Sequence, residues 1–261
     1  MLRRRKRSAR GPKPAAVALP QAPRPARRRA RPDASVPPGL KLPEAARGAV
    51  VLVTGFEPFG GEKTNPSWDV CRQLPGEVAG MRVERVLVPC EFRRAIEVVA
   101  EAIERTHPAM VVCLGQAGGR SRIGVERVAI NIDDARIPDN AGAQPVDELV
   151  AANGPPAYFA SLPVKAMAVA IRAVGVPAEV SNSAGTFVCN HLMYGVLHFL
   201  AASGNRARAG FIHVPFSEEQ AIDKPNAPAM SVATMVKGIA AAIAAAEDHR
   251  HDIRVADGAL D

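Results

Sequence analysis

Short apolar runs alternate along this chain with longer stretches in which apolar positions recur every three or four residues. Ala49–Thr54 and Met110–Leu114 are continuously apolar, and glycines follow them, Gly55 and Gly115. Such runs predict strands buried on both faces of a parallel sheet. Arg82–Val88 and Val125–Ile132 alternate apolar and polar positions, and Ala178–Ser181 and Gly210–Val214 add two more short strands. Between them, Phe92, Ile96, Val99 and Ile103 share one helical face, which Pro108 closes. Pro163–Val174 predicts a second helix. Leu192, Met193, Val196, Leu197 and Leu200 predict a third. Val232, Met235, Val236, Ile239 and Ile243 predict the last, with Ser231 as its N-cap.

This alternation from residue 49 onward predicts the α/β class: a single three-layer α/β/α domain around a central twisted, mostly parallel sheet. No internal repeat and no second domain is visible. In such sheets ligands bind beyond the carboxyl ends of the strands. Thr54-Gly55, Gly115-Gln116, Ser183-Ala184 and His213 all fall at or just past predicted strand ends, so distant residues are expected to meet at one rim.

Charge changes the picture only at the start. Residues 1–48 hold 14 Lys/Arg against 2 Asp/Glu, a net of +12, whereas the other 213 residues carry a net of −5. The net +7 of the whole chain therefore describes this Arg/Pro/Ala-rich segment and not the body. The segment has nine of the 23 prolines and few large apolar residues, so it cannot bury enough surface to offset its ordering entropy and reads as disordered. A basic arm that touches nucleic acid or anionic lipid is one reading of residues 1–48, and an extended start of little function is another. Arg3-Arg4-Arg5-Lys6-Arg7 is not followed by the apolar stretch of a secretory signal. No stretch is apolar enough to span a bilayer. Cys71, Cys90, Cys113 and Cys189 form no Cys-x-x-Cys pair and no metal-spaced cluster, which fits a reducing, cytoplasmic setting.

Candidate chemistry concentrates in four places. Val180–His191 passes from an apolar strand through small polar residues to Cys189, just as a helical pattern begins. A thiol at a helix N-terminus meets the positive end of the dipole, which favours the thiolate. A buried thiol that acts as a small hydrophobe is the competing reading. Gly55-Phe56-Glu57-Pro58-Phe59-Gly60-Gly61 fails the spacing of both a dinucleotide fingerprint and a P-loop; its two phenylalanines suggest an apolar ligand wall, or core. Glu126 would share a strand face with Val128, Ile130 and Ile132, where an unpaired carboxylate is costly, so it needs a partner, and a salt bridge with Arg127 or another arginine is the local reading. His213 ends an apolar strand. His191, two residues from Cys189, does not face it at helical spacing. The His249-Arg250-His251 trio is a weak metal signal. A cysteine, a histidine and a carboxylate are the parts of a thiol acyl-transfer site.

Three separated motifs in the order Glu126, Cys189, His213 make the body, residues of about 50 to 245, resemble the pyroglutamyl peptidase type I family of cysteine peptidases. The stretch Val176–Asn190 matches the family's cysteine motif throughout. Gly115–Asn131 matches its glutamate motif, except that Gly124 stands where the family usually has Ser or Thr; loosened backbone or a dropped hydrogen bond is expected there. Ile212-His213-Val214-Pro215 matches the histidine segment. Residues 1–48 have no counterpart in a typical member. The resemblance implies removal of N-terminal pyroglutamate from peptides through Cys189, His213 and Glu126, without metal or organic cofactor. It implies a lactam pocket of Phe56, Phe59, Ile137, Phe187 and Val188, with Asn65 and Gln116 bonding the lactam directly or by placing backbone groups. Backbone amides near Cys189, with Arg136, would hold the oxyanion, and the assembly would be a homotetramer. A hydrolase or phosphorylase of another cyclic amide or a nucleoside, and an inactive scaffold with a nucleic-acid-binding arm, are the alternatives to this reading.

Overall fold

The structure is a computed structural model and describes residues 48–258. Apart from Gly48, the segment 1–48 read as disordered lies outside the described residues. In chain order the elements are β1 (Val50–Phe56), α1 (Pro66–Gln73), β2 (Glu77–Val78), β3 (Met81–Val88), α2 (Arg94–Thr106), β4 (Met110–Gln116), β5 (Ile123–Glu126), β6 (Val128–Ile130) and β7 (Ala157–Phe159). Then follow α3 (Val164–Ala173), β8 (Ala178–Ser181), α4 (Val188–Ser203), β9 (Arg208–Val214), α5 (Glu218–Ala221) and α6 (Val232–Asp248).

Seven of these strands form one sheet in the order β2-β3-β1-β4-β9-β5-β8. The pairs β3·β1, β1·β4, β4·β9 and β5·β8 are parallel, while β2·β3 and β9·β5 are antiparallel. The sheet is therefore mixed and mostly parallel, and apolar side chains pack on both faces. Val51, Val53, Val112, Leu114, Ile212 and Val214 meet α1, α3 and α6 on one side. Leu52, Val111, Cys113, Ala209 and Phe211 meet α2 and α4 on the other. This is the three-layer arrangement that the alternation predicts, since each helix buries its apolar stripe against a sheet face.

Two elements differ from the pattern. The alternating stretch Val125–Ile132 is not one strand. It breaks at Arg127, whose N–H donates to the Ser181 carbonyl, and β6 then pairs with β7 in a separate two-stranded sheet. The face inverts at the break: Ala129 is buried while Ile132 is exposed, so Glu126 does not share a face with Ile132. Helix α1 was hidden by its brevity, although Asn65 as N-cap and Pro66 at the first helical position are ordinary start signals.

The direction of β5 also corrects the expected rim. β1, β4 and β9 do present their carboxyl ends together, but β5 and β8 run the opposite way. Glu126 thus approaches His213 from a neighbouring strand whose carboxyl end lies deeper in the sheet, opposite Phe211.

Candidate active site

Residues that face each other across paired strands share a sheet face. His213 on β9 pairs with Gly115 on β4 and with Gly124 on β5. Glu126, two residues on from Gly124, lies on that same face. Its Oε1 accepts a hydrogen bond from His213 Nδ1 at 2.7 Å and one from Arg120 Nη1 at 2.9 Å. The Glu126 side chain has no exposure and that of His213 only 5%. The partner that the buried carboxylate requires is therefore both a histidine and an arginine, and the arginine is Arg120, not Arg127.

Burial alone would raise the Glu126 carboxyl. The hydrogen bond and charge of His213, with Ser181 and Arg120, outweigh it and hold the group below its ordinary value. Glu126 is ionised at neutral pH and accepts the hydrogen bond from Nδ1–H of His213, which leaves Nε2 free to take up a proton.

Cys189 is the second residue of α4, a helix whose start carries no side-chain cap because Phe187 occupies the N-cap. Its Sγ lies over Gly115: a β-carbon placed there would stand 3.0 Å from the sulfur and 2.6 Å from the Phe211 ring. The glycine that follows the apolar run of β4 leaves room for the thiol beside the strand that carries His213. Burial pushes the thiol well above its ordinary value; Cys90 and Glu126 add to this, and Arg120 opposes it. The direction of this shift favours the neutral thiol, so attack by this sulfur needs a base.

The residues after Cys189 explain why this helix start is held so firmly. The Asn190 side chain accepts from the Ile130 N–H at 2.9 Å and donates to the carbonyls of Ile130 and Ile132. His191, which faces away from the thiol as its spacing predicts, gives Nδ1 to Asp133 at 2.7 Å and accepts the Arg93 N–H on Nε2. Both side chains fasten α4 to the end of β6 and the segment after it, a role that the sequence did not reveal.

A cavity of about 590 Å³ opens beside the N-terminus of α4, lined by Phe59, Asp134, Arg136, Ile137, Gly185, Thr186 and Phe187. Phe187 packs against Phe59 and, edge-on, against Phe92, a ring the sequence reading assigned only to a helix face. Phe56 and Val188 are placed differently. Both are buried in the core, Phe56 next to Phe211, so neither side chain lines this cavity. Asn65 spends its amide inside the fold: it caps α1 through Ser67 and donates to the Glu57 carbonyl, tying the loop after β1 to that helix. Gln116 accepts from Gln220 at 3.0 Å. Gly124 does not loosen β5, since it is paired with Glu179 on one side and His213 on the other.

A buried carboxylate–imidazole pair with a thiol seated at a helix start next to its strand is an arrangement for base-assisted attack by sulfur. The sequence signature of the pyroglutamyl peptidase family spans residues 49–249. The chain belongs to the pyroglutamyl peptidase family. It is 50% identical over 211 residues to a pyrrolidone-carboxylate peptidase of Yersinia pestis, covering 80% of this chain and 98% of that one. Among solved structures it is similar to pyroglutamyl peptidase I from Bacillus amyloliquefaciens, with a TM-score of 0.78 and 43% identity over 80% of this chain and all of that one. It is also similar to the pyrrolidone carboxyl peptidase from Thermococcus litoralis, with a TM-score of 0.77, 39% identity and coverage of 80% and 99%. Pyroglutamyl peptidase sequences and this chain thus share both the fold and nearly the whole length of the body.

Proposed function

We propose that this chain is a cysteine exopeptidase that removes N-terminal pyroglutamate from peptides. The observation that carries the reading is the buried Glu126–His213 pair beside the Gly115 seat of Cys189, within a member of this family. His213 takes the thiol proton, and the sulfur attacks the pyroglutamyl carbonyl. His213 then returns the proton to the leaving amine, and water hydrolyses the thioester. Glu126 holds the imidazole tautomer and stabilises its charged form. The uncapped first amides of α4 support an oxyanion role for the backbone at Val188 and Cys189, with Arg136 on the cavity wall as a further contributor. A pyroglutamyl terminus is flat and uncharged, and Phe59, Ile137 and Phe187 offer it an apolar wall.

The four unpaired cysteines support work in a reducing compartment, the cytoplasm. No helix among the described residues is long and apolar enough to cross a membrane. Exposed Val146 and Leu149 support assembly as a homo-oligomer, a tetramer in this reading; light scattering on the purified chain checks it.

The deciding experiment is release of a fluorescent amine from a pyroglutamyl amide. Hydrolysis by the wild type, lost with a thiol alkylator and in a folded Cys189→Ala variant, is the expected result. Full activity of Cys189→Ala would sink the mechanism. Turnover of a nucleoside with phosphate, and none of the amide, would replace the reaction.

A further inference from the structure

His213 has a glycine beside it on each neighbouring strand, and the two bare positions admit different groups. Gly115 admits the edge of the Phe211 ring and the Cys189 sulfur. A β-carbon on Gly124 would lie 2.7 Å from Arg120 Nη1, so this second glycine admits a guanidinium. Through that gap Arg120 reaches from a partly exposed position to a carboxylate with no exposure. It donates to Glu126 Oε1, the same oxygen that His213 bonds. Its other nitrogen donates to the Ser183 carbonyl at 3.3 Å, in the loop that leads from β8 to Cys189.

We infer that Arg120 is a positioning residue of this site, seated through the gap at Gly124, and that it sets the orientation of Glu126 and the reactivity of the Cys189 thiol. The inference rests on the roles proposed above for Glu126, Cys189 and His213. Two physical effects carry it. A carboxylate bonded through one oxygen to both an imidazole and a guanidinium has little rotational freedom, so the imidazole it holds is fixed in turn. The second effect is charge. The titratable and charged groups that act on Cys189 are Cys90, Cys113, Glu126 and Arg120, with His213 on the strand beside its seat. Glu126 is a full negative charge that opposes formation of a thiolate, and in a poorly solvated site that opposition is strong. Arg120 offsets it. With the guanidinium in place, the thiolate forms next to a nearly neutral pair; without it, the thiolate forms next to a bare carboxylate.

The test uses the full chain and four variants: Arg120→Gln, Arg120→Lys, Gly124→Ala, and Gly124→Ala combined with Arg120→Gln. Circular dichroism verifies that each is folded. Gly124→Ala asks only the flexible end of Arg120 to move, so it perturbs the contact without a backbone clash. The readout is the rate at which iodoacetamide modifies Cys189, followed by mass spectrometry from neutral to alkaline pH. Arg120→Gln is expected to slow alkylation at neutral pH by roughly three- to ten-fold and to move the profile upward by about half to one pH unit. Arg120→Lys keeps the charge and should recover most of the rate. Gly124→Ala should shift the profile in the same direction and add nothing once Arg120 is gone, because both act through one contact. A profile for Arg120→Gln that overlays the wild type overturns the inference, and so does a Gly124→Ala effect that persists in full in the double variant. Alkylation needs no peptide substrate, so these outcomes decide the role of Arg120 even where the pyroglutamyl amide is not turned over.

Discussion

Glu126 is ionised inside the sheet because its partners outweigh its burial, and this has a consequence for stability. A carboxyl held below its ordinary value stabilises the fold above the unfolded value, near 4.5, and that contribution disappears as pH falls through the lower folded value. Glu126→Gln should therefore be less stable than the wild type at neutral pH, by about 1–3 kcal/mol. It should also lose less stability on acidification, because the variant has no carboxylate there to protonate. Urea midpoints across the acidic range measure both effects. In turnover, His213→Ala removes the proposed base and should cost roughly a hundred- to ten-thousand-fold in kcat. Glu126→Gln, which leaves the base in place, should cost less, and the reverse order would mean that the supporting acid is another residue. The proposed roles of Cys189, His213 and Glu126 were read from residue type, position and motif, and the structure adds the Glu126–His213 contact to that reading. The Arg120–Glu126 contact was not read, because it depends on space beside Gly124, and an empty volume leaves no mark in a single sequence.

At the scale of elements, the first turn of α4 is held from behind. Asn190 satisfies one N–H and two carbonyls of the segment 130–132, and His191 bridges Asp133 and the Arg93 amide. Asn190→Ala strips those backbone groups of their partner, so it should lower stability by about 1–3 kcal/mol. It should also reduce kcat for the pyroglutamyl amide several-fold through displacement of the helix start, although the residue takes no part in bond making. Thermal melts and steady-state kinetics on one preparation check both. Most helices and strands followed from apolar periodicity, since burial of a stripe or a face imposes that period. The break at Arg127 did not, because alternation carries on through it: β6 keeps the period of a strand while it changes sheets. The short helices α1 and α5 have too few turns to establish a period, and their N-caps, Asn65 and Ser217, went unread.

For the whole molecule, the layers protect all of the thiols but one. Cys71, Cys90 and Cys113 are buried, and burial pushes each up to about 12; the Cys189 thiol is also pushed up, but Cys189 alone is partly exposed and has His213 on the strand beside its seat. Native protein should therefore consume one equivalent of an alkylating reagent per chain, at Cys189, and urea should release the other three of its four thiols. Early modification of Cys90 in the native state would contradict this account of the core. The order of the sheet could not be read from the sequence, since periodicity identifies strands and says nothing of which neighbours they choose. That order places β9, the last strand among the described residues, between β4 and β5. During synthesis, β2-β3-β1-β4 and β5-β8 must wait as two separate pieces, each with an open edge, until residues 208–214 emerge and join them. The strand that joins them also carries His213, so the proposed base reaches its carboxylate and the thiol only as the sheet closes. A growing chain then holds a cysteine with no base beside it, and the power to cut peptides arrives in the same event that completes the fold.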